Sequence, residues 1–135
     1  PARRRAVVLA AADPANAYGA ALPWPEPPAG ASHKPGRKAG SLVVLVDGSL
    51  ALYMERGGKT LLAWPQEEGA EAPTATDAGL REAAAALAEA ARAGALGTVT
   101  VERINGSPAL SSPLGALLET AGFHATPRGL RLRAP

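Results

Sequence analysis

Two groups of basic residues stand out in this sequence: Arg128, Arg131 and Arg133 near its end, and the run His33-Lys34-Pro35-Gly36-Arg37-Lys38 in its first third. Arginine presents a planar fork of N–H donors that matches phosphate oxygens two at a time, and lysine adds a compact point charge. The chemistry such residues suit is polyanion binding rather than bond making. On a strand, Arg131 and Arg133 share one face and Leu130 and Leu132 the other. The same pattern describes an edge strand protected from aggregation by charge, so both readings stand. Lys34, Arg37, Lys38, Arg128, Arg131 and Arg133 are the candidate nucleic-acid contacts. Tyr18 and Trp24 are candidates for base stacking; the alternative is that each anchors a long loop to the core.

Groups that could make or break bonds are scarce. Gly57-Gly58-Lys59-Thr60 looks like the end of a phosphate-binding loop, but the glycine required five positions before Gly58 is Tyr53. A helix should also follow, to turn its N-terminus to the phosphate, and the next residues read as a strand. There is no Gly-x-Ser-x-Gly elbow, there are no cysteines, and the two histidines, His33 and His124, are far apart without spaced partners. Asp13, beside Asn16, Tyr18 and Trp24, is the one carboxylate placed as a base-processing enzyme would want it. Its foremost reading is an Asx turn that initiates the loop at Pro14. The expectation is no catalytic residue, no metal and no cofactor in this chain, and neither ATP hydrolysis nor base release by it alone.

The net charge of +2 over 135 residues hides an uneven distribution. Residues 1–40 carry six basic side chains, including Arg3, Arg4 and Arg5, against Asp13 and Glu26; residues 41–73 carry Arg56 and Lys59 against five acidic ones; residues 111–135 carry three arginines against Glu119. Both ends are basic and the middle is acidic. Brought together in space, the ends would form one cationic patch, the electrostatic footprint of a polyanion binder; scattered, they are an ordinary solvated surface.

The elements that must position these residues can be read in order. Arg5 to Ala11 reads as a strand, and not as a secretory leader, because Asp13-Pro14 follows directly. A chain that begins at Pro1 reads as an excised piece. Residues 23–40 form a loop, since five prolines and two glycines lie between Pro23 and Arg37. Ser41–Val46, Ser49–Arg56 and Lys59–Trp64 are three apolar runs separated by Asp47-Gly48 and Gly57-Gly58, dipeptides suited to hairpin turns. The simplest register faces Leu45 with Leu50, Val43 with Leu52, and Met54 with Leu61, and leaves Leu42, Val44, Ala51, Tyr53, Leu62 and Trp64 on the opposite face. Both faces are apolar, so the meander must be covered on both sides, as in a small barrel. Residues 67–76 form an acidic linker. A helix over 77–93 carries Leu80, Ala84, Leu87 and Ala91 as a stripe, a strand over 96–104 ends at Asn105-Gly106, and Ser112-Pro113 opens a second helix stopped by Gly122. The last strand closes the chain. The expected class is α+β: one domain over 1–135, a mainly antiparallel, barrel-like sheet with two packed helices. No apolar stretch is long enough to span a membrane, and the lack of cysteine is compatible with the cytoplasm.

Several segments resemble the extreme C-terminus of bacterial Lhr (large helicase-related) proteins. They are Leu9 to Gly19 with Leu22-Pro23-Trp24-Pro25, His33 to Gly40, Val44 to Gly48, Glu55 to Leu62, and Thr126 to Arg133. Their order and their coverage of nearly the whole chain carry the resemblance. It implies a parent with an ATP- and magnesium-dependent 3′-to-5′ single-strand translocase core, followed by winged-helix modules that end in a β-barrel. That arrangement is similar to a family of bacterial DNA glycosylases. The resemblance further implies DNA repair, oligomerisation and uracil excision for the parent's C-terminal region, and as partners single-stranded DNA or a DNA/RNA hybrid, the adjacent winged-helix modules and further copies of the chain. The motor residues have no counterpart here. The acidic stretch from Glu67 to Ala72 departs from the pattern and argues against nucleic acid at the adjoining edge. The domain is thus expected to be a non-catalytic accessory; the alternatives are a structural or oligomerisation domain, or part of a glycosylase-like module.

Overall fold

The computed structural model describes residues 5–133; Arg3 and Arg4 of the basic start lie outside them. Strand β1 (Ala6–Ala10) pairs antiparallel with β2 (Leu42–Val46), which pairs with β3 (Ser49–Met54), which pairs with β4 (Thr60–Ala63). The expected meander over residues 41–64 is present. Its first turn has Asp47 at φ 49° and Gly48 at φ 82°, the two left-handed centres of a type I′ hairpin. Nothing lies within 4 Å of a Cβ built on Gly48, so Gly48→Val isolates the backbone term. It should cost about 2 kcal/mol in urea denaturation, because a β-branched residue strongly disfavours positive φ. The second connection is not a two-residue turn: residues 55–59 form a wider loop with Gly57 and Gly58 at φ 90° and 80°.

The register differs from simple alternation at one point. Leu45 faces Leu50 and Met54 faces Leu61 as expected, but Val44 is opposite Leu52 and Val43 opposite Tyr53, with Ala51 as the extra residue of a β-bulge. A bulge places two consecutive side chains on nearly the same face and reverses the alternation beyond it. Leu52, Met54 and Leu61 therefore join Val44 and Ala51 against the helices, whereas Tyr53, Leu62 and Trp64 join Val43 and Leu50 on the other side.

Helix α1 (Ala78–Arg92) starts at Asp77, whose Oδ1 accepts from the Leu80 amide at 3.1 Å. Its Oδ2 accepts from the amides of Gln66 (2.7 Å) and Glu67 (3.2 Å), folding the acidic stretch 67–76 back on the helix start. The expected stripe of Leu80, Ala84, Leu87 and Ala91 is fully buried. Alanines in that stripe bury little area themselves but let the helix approach β1, β2 and α2 closely. Helix α2 (Pro113–Ala121) begins with proline at its first position; Ser112 precedes it without a side-chain cap bond, and Gly122 ends it.

The expected strand over 96–104 is two strands in different sheets. β5 (Val99–Val101) pairs with the C-terminal strand, and β6 (Arg103–Ile104) runs parallel to β4 and turns through Asn105-Gly106 into β7 (Ser107–Pro108). After α2, β8 (His124–Thr126) and β9 (Gly129–Leu132) form a hairpin, giving a second sheet in the order β5-β9-β8. The class is α+β with two packed helices, but the barrel expectation is corrected: the first sheet is open, in the order β1-β2-β3-β4-β6-β7. Apolar residues on both faces do not require closure here, because one face is covered by the two helices and the second sheet and the other by the loop 11–40. Among the described residues, no helix is long and apolar enough to cross a membrane.

Candidate nucleic-acid interface

The cations meet on the outer face of the second sheet. In β9, Leu130 and Leu132 point into the core and Arg131 points out, as the spacing predicts; Arg133, just beyond, is exposed. Cross-strand pairing sets Arg131 between Thr100 of β5 and His124 of β8. Arg128 occupies the β8–β9 turn. That turn is fixed by the Thr126 hydroxyl, which accepts from the amides of Arg128 and Gly129, each at 3.2 Å, and donates to the Gly129 carbonyl at 2.9 Å. Arg128 reaches Glu102 at 3.5 Å, with its own side chain 73% exposed.

A third segment completes the surface. The carbonyl of Lys59 accepts from the amides of Glu102 (2.8 Å) and Arg103 (3.1 Å), tying the β3–β4 loop to the junction of β5 and β6. Lys59 thus lines one groove of about 260 Å3 with Arg128, Arg131, Thr98, Thr100 and Glu102. Three cations face one carboxylate there. Sequence reasoning misses Lys59, because its glycine-flanked setting suggests only a phosphate loop or a hairpin. The parallel pairing of β4 with β6, which no local pattern announces, is what brings it in.

The other predicted residues sit elsewhere. Lys38 is exposed, its Nζ 3.7 Å from Glu55, and Glu55 is also 3.7 Å from His33 Nε2. Lys34 is exposed. Arg37 is turned inward: its guanidinium donates to the carbonyls of Asn16 and Tyr18 at 2.8 Å, Asp13 at 3.1 Å and Ala12 at 3.2 Å. That geometry makes Arg37 the clamp of the 11–40 loop.

Tyr18 and Trp24 stack on each other, with centroids 6.1 Å apart, and Trp24 meets Tyr53 edge-on at 5.8 Å. The Tyr18 hydroxyl donates to the Gly48 carbonyl at 3.1 Å and accepts from the Leu50 amide at 3.3 Å. Both rings therefore anchor the loop onto the sheet. Asp13 accepts from the Ala15 amide at 2.8 Å, which makes it the head of an Asx turn.

No protein-family model matches the chain. Over 95% of its length it is 49% identical to the Lhr helicase/probable uracil glycosylase of Mycolicibacterium smegmatis, and over 92% it is 40% identical to the Lhr helicase/uracil glycosylase of Escherichia coli. The aligned part is 8% of the first relative and 7% of the second, so the chain spans less than a tenth of either protein. Identity of this degree along almost the whole chain makes it a homologue of the Lhr helicases, matching a C-terminal domain of that family.

Proposed function

We propose that this domain is a non-motor accessory of an Lhr-type DNA-repair helicase, which contacts nucleic acid through the outer face of its second sheet while packing against neighbouring winged-helix modules. The observation that carries the reading is the convergence of Lys59, Arg128 and Arg131 on one groove, with Arg133 on its flank. Lys34 and Lys38, both exposed, stand outside this groove on the loop over residues 11–40. ATP and magnesium belong, on this reading, to the motor of the parent protein. The strand it holds is single-stranded DNA or one strand of a DNA/RNA hybrid, in the cytoplasm.

A strand held by about three such contacts gives a log affinity that falls with log salt at a slope of about −2 to −3, because each phosphate neutralised releases counterions. The chain alone should bind weakly. Changing Arg128, Arg131 and Arg133 together to alanine should flatten the slope and leave the melting temperature within a few degrees, since all three side chains face solvent. Fluorescence anisotropy with a labelled oligonucleotide at two salt concentrations measures both affinity and slope.

A structural or oligomerisation role is favoured by a different observation. β1 is an edge strand, Val7 on it is 40% exposed, and a largely apolar groove of about 410 Å3 runs along Val7, Leu9 and Leu45. An exposed apolar edge of this kind suits a neighbouring module or copy. Unchanged affinity and slope in the triple variant would put this reading first.

A further inference from the structure

We infer that Lys59, Arg131 and the hydroxyls of Thr98 and Thr100 form a phosphate subsite, and that Glu102 restrains it by holding Arg128 away from the incoming anion. The inference rests on the proposed nucleic-acid contact and names the part of the strand that the groove takes.

The lining decides the ligand class. The groove is lined by Gly57, three cations, three threonines and Glu102, and no large apolar or aromatic side chain is among them. No aromatic ring offers a base a face to stack on there, whereas a tetrahedral phosphate offers acceptors to several donors at once. Among the described residues, neither Lys59 nor Arg131 makes an ion pair, so both charges are available. Thr126 is already engaged within its own turn; Thr98 and Thr100 are the hydroxyls that remain.

Glu102 is the group that does not fit a simple anion site. Its side chain, 31% exposed, lines the groove and holds Arg128 at 3.5 Å. Its backbone amide donates to the Lys59 carbonyl, which keeps its Cα at the rim of the groove. It therefore repels phosphate directly and engages one of the three cations. An arriving phosphate must win Arg128 from Glu102, which keeps affinity low for a lone anion and raises it for a strand held at other points as well.

Two ligands share this chemistry, the phosphodiester of a strand and free phosphate, and the test separates them. The first arm measures anisotropy of a fluorescein-labelled oligo-dT with the 135-residue chain, Lys59→Ala and Glu102→Gln between about 50 and 200 mM salt. Lys59→Ala should weaken binding several-fold and reduce the magnitude of the slope by about 0.7, the share of one phosphate on a single strand. Glu102→Gln should tighten binding about threefold, the scale of one partly exposed charge. The second arm follows backbone amides by NMR as inorganic phosphate is added. Shifts should concentrate at Lys59, Thr98, Thr100 and Arg131 and be lost in Lys59→Ala.

If the chain binds the oligonucleotide but neither variant changes affinity or slope, the subsite is wrong and the broader reading stands. If the oligonucleotide does not bind but phosphate shifts those amides in a Lys59-dependent way, the subsite stands and the nucleic-acid reading falls. If Lys59→Ala alters the response to neither ligand, or Glu102→Gln weakens binding, the inference is overturned. Both side chains reach solvent, and melting temperatures close to that of the parent confirm that the comparison concerns binding.

Discussion

Arg37→Met is expected to destabilise the domain by about 3 kcal/mol, with a fall in melting temperature on the order of 10 °C. Four carbonyls of the 12–18 segment converge on this one guanidinium. Methionine keeps the apolar stem but falls short of the guanidinium and donates nothing. Charge-assisted bonds contribute about 1.5–3 kcal/mol each net of exchange with water, and partial exposure and the sharing of one guanidinium bring four of them down to this total. The loop they hold carries Tyr18 and Trp24 over Tyr53, so a shift in tryptophan fluorescence should accompany the loss. Arg37→Lys should not preserve stability either, because an ammonium offers three donors from one point and cannot span four carbonyls. A methionine variant within about 0.5 kcal/mol of the parent, the ordinary range of a surface change, would mean that water satisfies those carbonyls just as well.

Gly129→Ala should be more damaging still, by about 4 kcal/mol, combining backbone strain with overpacking. Gly129 has φ 150°, and a Cβ there would lie 2.9 Å from the Val101 carbonyl carbon and 3.0 Å from Glu102 Cα. These are backbone atoms of β5 and its end, so relief comes only by moving β9 away. That movement would disturb the pairs Val99–Leu132, Thr100–Arg131 and Val101–Leu130, and with them the placement of Arg131 in the groove. Oligonucleotide affinity should therefore fall together with stability. This separates the change from Gly48→Val, whose strain is confined to the turn between β2 and β3, outside the lining of the groove. A thermal melt and one anisotropy titration test it, and near-parent values in both would refute the packing argument.

Local rules account for what the sequence made legible. Asp47-Gly48 and Asn105-Gly106 each adopt two left-handed centres, and Pro113 starts α2. Each depends on residues a few positions apart. The errors come from long-range choices. Ala51 is the extra residue of a bulge, and no residue type marks it. The break at Glu102 arises because Val101 pairs with Leu130 whereas Arg103 pairs with Thr60. β8 has three residues, too few to show alternation. At the candidate interface, strand alternation correctly turned Arg131 outward. Arg37 and Lys59 were beyond reach, since the first depends on four carbonyls from another part of the chain and the second on a parallel pairing across α1.

Asn105 has a consequence for how the domain meets its surroundings. Its side-chain amide accepts from the Ala63 amide at 2.9 Å and donates to the Ala63 carbonyl at 3.0 Å, reproducing with one residue the pair of bonds that a neighbouring strand would make. The end of β4 is thereby closed to foreign backbone, whereas the outer edge of β1 has no such plug among the described residues. The two places thus differ in their capacity for strand exchange: the end of β4 is sealed by a side chain that mimics a strand, and the outer edge of β1 is one from which a fibril or a swapped segment could grow. Removing the carboxamide would bare the backbone of Ala63 and add one more place from which foreign strands could polymerise onto this sheet.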